Sequence, residues 1–349
     1  MEQFVRVRMV QANAMDLTRF QFDYDLTFAA FFMNADGTIY GRFGSRSSQD
    51  AMADMSMPGF AVALEGALDI HDAYPSNAAA LAGKQPVTPR YERPEQYPTL
   101  ASYSEELAYE GEVVKSCMHC HQINEAERML YRDAKEPVPD KVMFPWPSPR
   151  VIGMVLDRLE QATVSEIAPG SPADKAGFAA GDVIETIDGQ PIVSIADVQW
   201  VLHHANDGDH IRIRAKGDGP ARDVTVTLPA GWRKNTDISW RVSSWDVRRM
   251  GTGGLILRPL SAEQRSAANL DEGALGLRVD GIGQWSPHDY GKKAGFLKED
   301  IIVSFDGQTG AMTRSQLLAY TMQETIAGDV IPVTVLREGA RLTLELPTQ

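Results

Sequence analysis

Apolar and charged residues alternate over positions 4–10 (Phe-Val-Arg-Val-Arg-Met-Val), and a period of two predicts a strand there. Leu26 to Phe32 is an apolar, aromatic run that predicts a buried strand. Asn34-Ala35-Asp36-Gly37 supplies turn residues, and Thr38 to Phe43 returns as the second strand of a hairpin. From Ser48 to Ile70 the residues Met52, Met55, Phe60, Leu64 and Leu68 fall at helical spacing, with Pro58-Gly59 expected to split the helix in two. The proline-studded stretch from Pro75 to Pro98 lacks a period and reads as an extended connector. Short helices are expected at Ser104 to Tyr109 and Glu125 to Tyr131. The prolines between 137 and 149 mark a domain boundary.

The second half repeats itself. Lys175-Ala176-Gly177-Phe178 recurs as Lys293-Ala294-Gly295-Phe296, Asp182-Val183-Ile184 as Asp300-Ile301-Ile302, and Asp188-Gly189-Gln190 as Asp306-Gly307-Gln308. The offset is 118 each time, which marks a duplicated unit. Each copy runs into an amphipathic helix (Ile195 to His204; Thr313 to Met322). Each then ends in strands, Ile211 to Ala215 and Val224 to Leu228 in the first, Ile331 to Leu336 and Leu342 to Leu346 in the second.

Ala168-Pro169-Gly170-Ser171-Pro172-Ala173, followed by Ala176-Gly177-Phe178, Gly181-Asp182-Val183-Ile184 and Asp188-Gly189, resembles the central signature of bacterial PDZ domains. The second copy resembles it less closely. Glu299 replaces the glycine at 181, and Ser286-Pro287-His288-Asp289-Tyr290 replaces the compact turn. The resemblance implies peptide binding by strand addition, with a terminal carboxylate held on backbone N–H groups. The matching loops are Val151-Ile152-Gly153-Met154 and Gly253-Gly254-Leu255-Ile256, and the helix Ile195 to His204 forms the other groove wall in the first copy.

A net charge of −13 opposes general affinity for nucleic acid or anionic lipid. No apolar run approaches the ~20 residues of a transmembrane helix. The N-terminus lacks the apolar core and cleavage site of a signal peptide. Chemistry concentrates at Cys117-Met118-His119-Cys120-His121, which holds both cysteines of the chain and spells C-x-x-C-H, the attachment signature of c-type haem. Two thiols would take the porphyrin vinyls and His121 would ligate the iron, with Met143 preferred to Met129, His71, His203 and His204 as sixth ligand. The flanks, Tyr109 to Ser116 and Gln122, resemble small cytochromes c. Alternatives stay open: a dithiol whose pKa is lowered by a helix N-terminus and the neighbouring histidines, a zinc site on Cys117, Cys120 and His121, or thiols with no cofactor.

Phe22 to Phe28, the following apolar strand, Asn34 to Gly37 and Ile39 to Gly44 resemble the second half of a thioredoxin-like domain. More narrowly, the chain resembles a bacterial family, selenoproteins included, that joins such a domain to PDZ domains. It departs in lacking an early C-x-x-C and in carrying Thr27 where thioredoxins have a cis-proline. A truncated N-terminus is therefore expected.

The expected fold is a partial α/β thioredoxin-like domain (1–95), a C-x-x-C-H segment (96–147), and two mixed α+β PDZ domains (148–232 and 253–349) joined by a linker (233–252). The expected function is a periplasmic or otherwise exported redox scaffold. Haem c would transfer electrons, and the PDZ domains would bind partner C-termini. The alternative is a non-enzymatic PDZ interaction protein whose C-x-x-C is a disulfide or metal site. Catalysis is not expected beyond electron transfer or thiol–disulfide exchange, since no Ser–His–Asp nucleophile stretch stands out.

Overall fold

The computed structural model describes residues 2–349. The chain divides into two compact units, each built from two separate stretches: 1–123 with 144–237, and 124–143 with 238–349.

The first unit opens with an antiparallel hairpin, β1 (Ala30–Met33) and β2 (Ile39–Phe43). The Asn34–Gly37 turn closes as expected, with Thr38 N–H donating to Asp36 Oδ1 at 2.8 Å. Behind it lies the helix Met57–Asp72. Pro58 does not split this helix. It stands in the first turn, where a missing N–H costs nothing, and Ser56 Oγ caps the turn by accepting from Gly59 N–H at 2.9 Å. Ala63, Leu64, Ala67 and Ile70 bury against Phe32, Tyr40 and Phe43.

The expected thioredoxin-like domain is not what these residues build. Among described residues 2–95, β1 and β2 are the only strands. Residues 4–10 form no strand, because alternation creates one only where a partner edge takes up the hydrogen bonds. Val5 and Val7 are instead 96% and 87% exposed. The Pro75–Pro98 connector is compact, holding a short helix at Ala78–Leu81 and a turn through Lys84. Residues 104–109 form no helix. The helix expected at 125–131 runs from His121 to Ala134.

The remainder of the first unit holds the first repeat copy. β3 (Met154–Leu156) pairs with β4 (Val164–Ile167), and β5 (Val183–Ile187), β6 (Gln190–Pro191), β7 (His210–Lys216) and β8 (Arg222–Thr227) form a sheet in the order β6-β5-β7-β8. Ser171 Oγ caps the short helix Pro172–Lys175 by accepting from Asp174 N–H, and Gly177 in the left-handed region ends that turn. β7 alternates strictly between exposed and buried residues, putting Ile211, Ile213 and Ala215 into a core with Ile184, Val226 and Trp232. Ser194 caps the helix Ile195–His204.

The second unit is an antiparallel sheet of β9 (Leu255–Pro259), β10 (Leu277–Ile282), β11 (Ile301–Phe305), β12 (Val330–Arg337) and β13 (Ala340–Pro347), in the order β13-β12-β11-β10-β9. Its core includes Leu257, Leu277, Phe296, Ile302 and Val333. The 118-residue offset survives in the backbone. β11 begins and ends 118 residues after β5, as does the helix Tyr290–Lys293 after Pro172–Lys175. Asp188-Gly189 and Asp306-Gly307 adopt matching left-handed conformations, with φ of 48° and 81° in one and 49° and 75° in the other.

Candidate functional site

The loop expected to hold a peptide carboxylate is a single 3-10 turn, Pro149–Ile152, leading through Gly153 into β3. Gly153 sits at φ 82°, and a Cβ there would lie 2.1 Å from Ser171 Oγ, so only glycine fits. Ala168 N–H donates to Gly153 O at 2.8 Å, and Asp157 N–H donates to Thr163 O at 2.8 Å. An antiparallel ladder bonds alternate residues, so those of 153, 155 and 157 face β4. Met154 and Leu156 turn their main-chain groups to the opposite edge, where β3 has no strand neighbour among the described residues.

The helix Ile195–His204 supplies the second wall. One face, with Ile195, Val198, Val201 and Leu202, enters the core. The other face is covered by the chain itself. Trp146 stacks on His203 with ring centroids 4.4 Å apart and planes 9° from parallel. Its N–H donates to His203 Nδ1 at 3.2 Å, and its carbonyl accepts from Gln199 Nε2 at 3.1 Å. Since a main-chain N–H can only donate, His203 Nδ1 is the acceptor in this bond. Buried Arg233 donates to the carbonyls of Leu202, His203 and Ala205 at the helix C-terminus and to Phe144 O, anchoring the segment before Trp146.

Nearer the N-terminus of that helix, β2 and Lys84 cover Asp197. Lys84 and Asp197 are 1% and 2% exposed, and their charges meet at 2.7 Å. Arg42 N–H and Val193 N–H also donate to the carboxylate, each at 3.1 Å. The Arg42 guanidinium lies 3.6 Å from the Trp200 ring centroid, and burial lowers its pKa to about 10. Burial likewise pushes Lys84 down. Trp200 Nε1 donates to Gly83 O at 2.7 Å. The sequence contained no signal for this cluster, because Lys84 follows an alanine-rich run without a charged period.

Cys117 and Cys120 are unbridged, partly buried thiols. Met118 between them is fully buried. Its N–H donates to Asn13 Oδ1 at 2.8 Å and its carbonyl accepts from Ala12 N–H at 2.9 Å. Asn13 Nδ2 also donates to Ser116 O. The motif's backbone thus ties residues 12–13 to 116–118. The lowered thiol pKa expected for a dithiol is not found at Cys120, which burial raises. Among the described residues no three His, Cys, Asp or Glu side chains gather as a metal centre. Met143 is fully buried and belongs to the second unit, whereas Cys117, Cys120 and His121 belong to the first.

In the second copy, Gly253 ends the helix Ser244–Thr252 in the left-handed region. Gly254 N–H donates to Arg248 O at 3.0 Å, and a Cβ on Gly254 would lie 2.0 Å from His288 O. Leu255 enters the core and Ile256 is half-buried.

The PDZ domain family model matches residues 149–228. A probable periplasmic serine endoprotease DegP-like from Halomonas elongata is 26% identical over 195 residues, covering 53% of this chain and 36% of that protein. The periplasmic pH-dependent serine endoprotease DegQ of Escherichia coli is 29% identical over 148 residues, covering 42% of this chain and 29% of its own length. The chain therefore spans about a third of the curated relatives it matches. A solved structure, HtrA-type protease AlgW with decapeptide, is 18% identical with a TM-score of 0.25, covering 40% of this chain and 49% of that one.

These relationships correct several expectations. Relatives named as serine endoproteases replace haem-based electron transfer, the cytochrome c assignment, the thioredoxin-like scaffold and the non-enzymatic interaction protein. They also overturn the expectation that no catalysis beyond redox chemistry is involved. The expected pair of PDZ domains reduces to one match, since the family model stops at residue 228. No helix of the described residues is long and apolar enough to cross a membrane. The loop at Gly153, β3 and the capped helix Ile195–His204 lie within the matched stretch: residues 149–228 are a PDZ domain.

Proposed function

We propose that this chain serves periplasmic proteolysis of the kind its relatives are named for, with the PDZ domain at 149–228 gripping protein substrates by an extended, carboxylate-ended segment. The observation that carries the proposal is the unpaired edge of β3 directly after the Gly153 loop. A peptide strand laid there would pair with the main-chain groups of Met154 and Leu156, and its carboxylate would fall at the loop of Val151, Ile152 and Gly153. The proteolytic context comes from the relatives' names and from the sequence shared with them.

Fluorescence anisotropy on the full chain tests the grip. A labelled decapeptide with a free carboxylate should bind at least about tenfold tighter than its amidated form, since backbone donors to a charged acceptor are worth roughly 1.5–3 kcal/mol. Equal affinity for the two peptides contradicts the proposal.

A further inference from the structure

We infer that the PDZ groove is occupied by the chain's own Phe144–Pro147 segment, with Trp146 as an internal ligand that an incoming peptide must displace. The inference rests on the peptide-docking proposal and adds its regulation. Two separate features of the segment carry it. First, Trp146 is held as a bound ligand would be held. Its main-chain N–H and carbonyl are both taken by side chains of the groove helix, His203 and Gln199, and its ring lies flat on His203. It adopts φ 52°, a left-handed conformation disfavoured for tryptophan, and the surrounding contacts hold it there. The cavity left beside it, bordered by Ala196, Gln199, Phe31 and Arg42, measures about 10 Å³, room for no more than one water.

Second, the donors needed for a carboxylate are turned inward. Val151 N–H donates to Ser148 O at 3.0 Å and Gly153 N–H donates to Arg150 O at 3.0 Å, closing the 3-10 turn on itself. Residues 146–153 are continuous. Withdrawal of Trp146 and unwinding of the 148–153 turn are therefore one movement, hinged at buried Phe144, which Arg233 retains. A competing peptide gains most from an aromatic side chain, because only a flat ring restores the stack on His203 that Trp146 gives up.

The test uses the full chain and a fluorescein-labelled decapeptide ending in Leu-Trp-Val with a free carboxylate. Removing an internal competitor lifts the occupancy penalty on affinity. Trp146→Ala should therefore bind the peptide about tenfold or more tightly than the unaltered chain, with Trp146→Phe between them. Should Trp146→Ala fail to fold, hydrogen exchange on the unaltered chain decides: the Trp146 amide should exchange faster when peptide saturates the domain. A folded Trp146→Ala chain with unchanged or weaker affinity overturns the internal ligand, as does peptide binding that leaves Trp146 exchange unaltered. If the free and amidated peptides prove indistinguishable on every chain, the docking proposal itself fails and takes this inference with it.

Discussion

The two copies of the 118-residue repeat share a skeleton and differ at their mouths. Both keep a buried aspartate clamped by an arginine that also reaches a glycine carbonyl. Arg222 bonds Asp182 and Gly177 O, and Arg337 bonds Asp300 and Gly295 O. Both bury Phe178 or Phe296 beside that glycine. At the entrance they diverge. The first copy enters β3 through a 3-10 turn with an internal ligand in front of it. The second enters β9 from a helix C-terminus, and Gly254 is closed against His288. At equivalent positions on the second wall, Asp197 meets a lysine while Ser315 Oγ accepts from Ile238 N–H at 3.0 Å. The copies thus share the residues that fold the unit and differ at the loops that enter β3 and β9.

The largest expected effect lies at that last difference. Lys84→Met leaves Asp197 charged and buried without its lysine partner, and should lower stability by about 3–5 kcal/mol in urea unfolding of the full chain. Ser315→Ala, which removes the acceptor of Ile238 N–H, should cost about 1 kcal/mol. Equal losses at the two sites would erase the distinction between the copies.

The entrance loops separate function from folding. Gly153→Ala and Gly254→Ala each force a side chain into a left-handed, crowded position, and each should cost about 1–3 kcal/mol. Peptide affinity should fall only with Gly153→Ala. A matching loss from Gly254→Ala would show that both mouths bind.

The clamps supply a milder, pH-dependent contrast. Chiefly through its bond to Arg222, Asp182 is held below its usual value of 3.8. A depressed carboxyl contributes stability above the unfolded pKa, and that contribution disappears as pH falls through the lower folded value. Arg222→Gln should raise the midpoint of acid unfolding and cost about 1 kcal/mol at neutral pH, a modest figure because Arg222 is partly exposed. An unchanged acid midpoint would remove Arg222 as the cause. The smallest effect is a gain. Glu299 holds φ 74° where the first copy has Gly181, so Glu299→Gly should stabilise by about 0.5–1 kcal/mol, visible as a small rise in Tm. A fall in Tm would show that the Glu299–Arg278 contact outweighs the backbone strain.

The repeat was legible in the sequence because its turns need particular chemistry. Asp188-Gly189 and Asp306-Gly307 occupy left-handed positions, and Ser171 and Thr313 cap helices at their starts. The loop Val151 to Met154 was legible for the same reason, through Gly153. Elsewhere, local pattern misled. The alternation at 4–10 says nothing of whether an edge is available to pair with it. The spacing of Cys117, Cys120 and His121 gave no hint that the backbone between them also bonds Ala12 and Asn13, a contact some hundred residues away in the chain. Trp146 between Pro145 and Pro147 looked like a boundary, since its partners Gln199 and His203 declare themselves only in three dimensions.

Residue-resolved hydrogen exchange of the full chain, with and without a carboxylate-ended decapeptide, tests strand addition along β3 most directly. The account predicts slowed exchange at the amides of Met154 and Leu156, with β9 unchanged. Protection that appears elsewhere while Met154 and Leu156 exchange as before would contradict it.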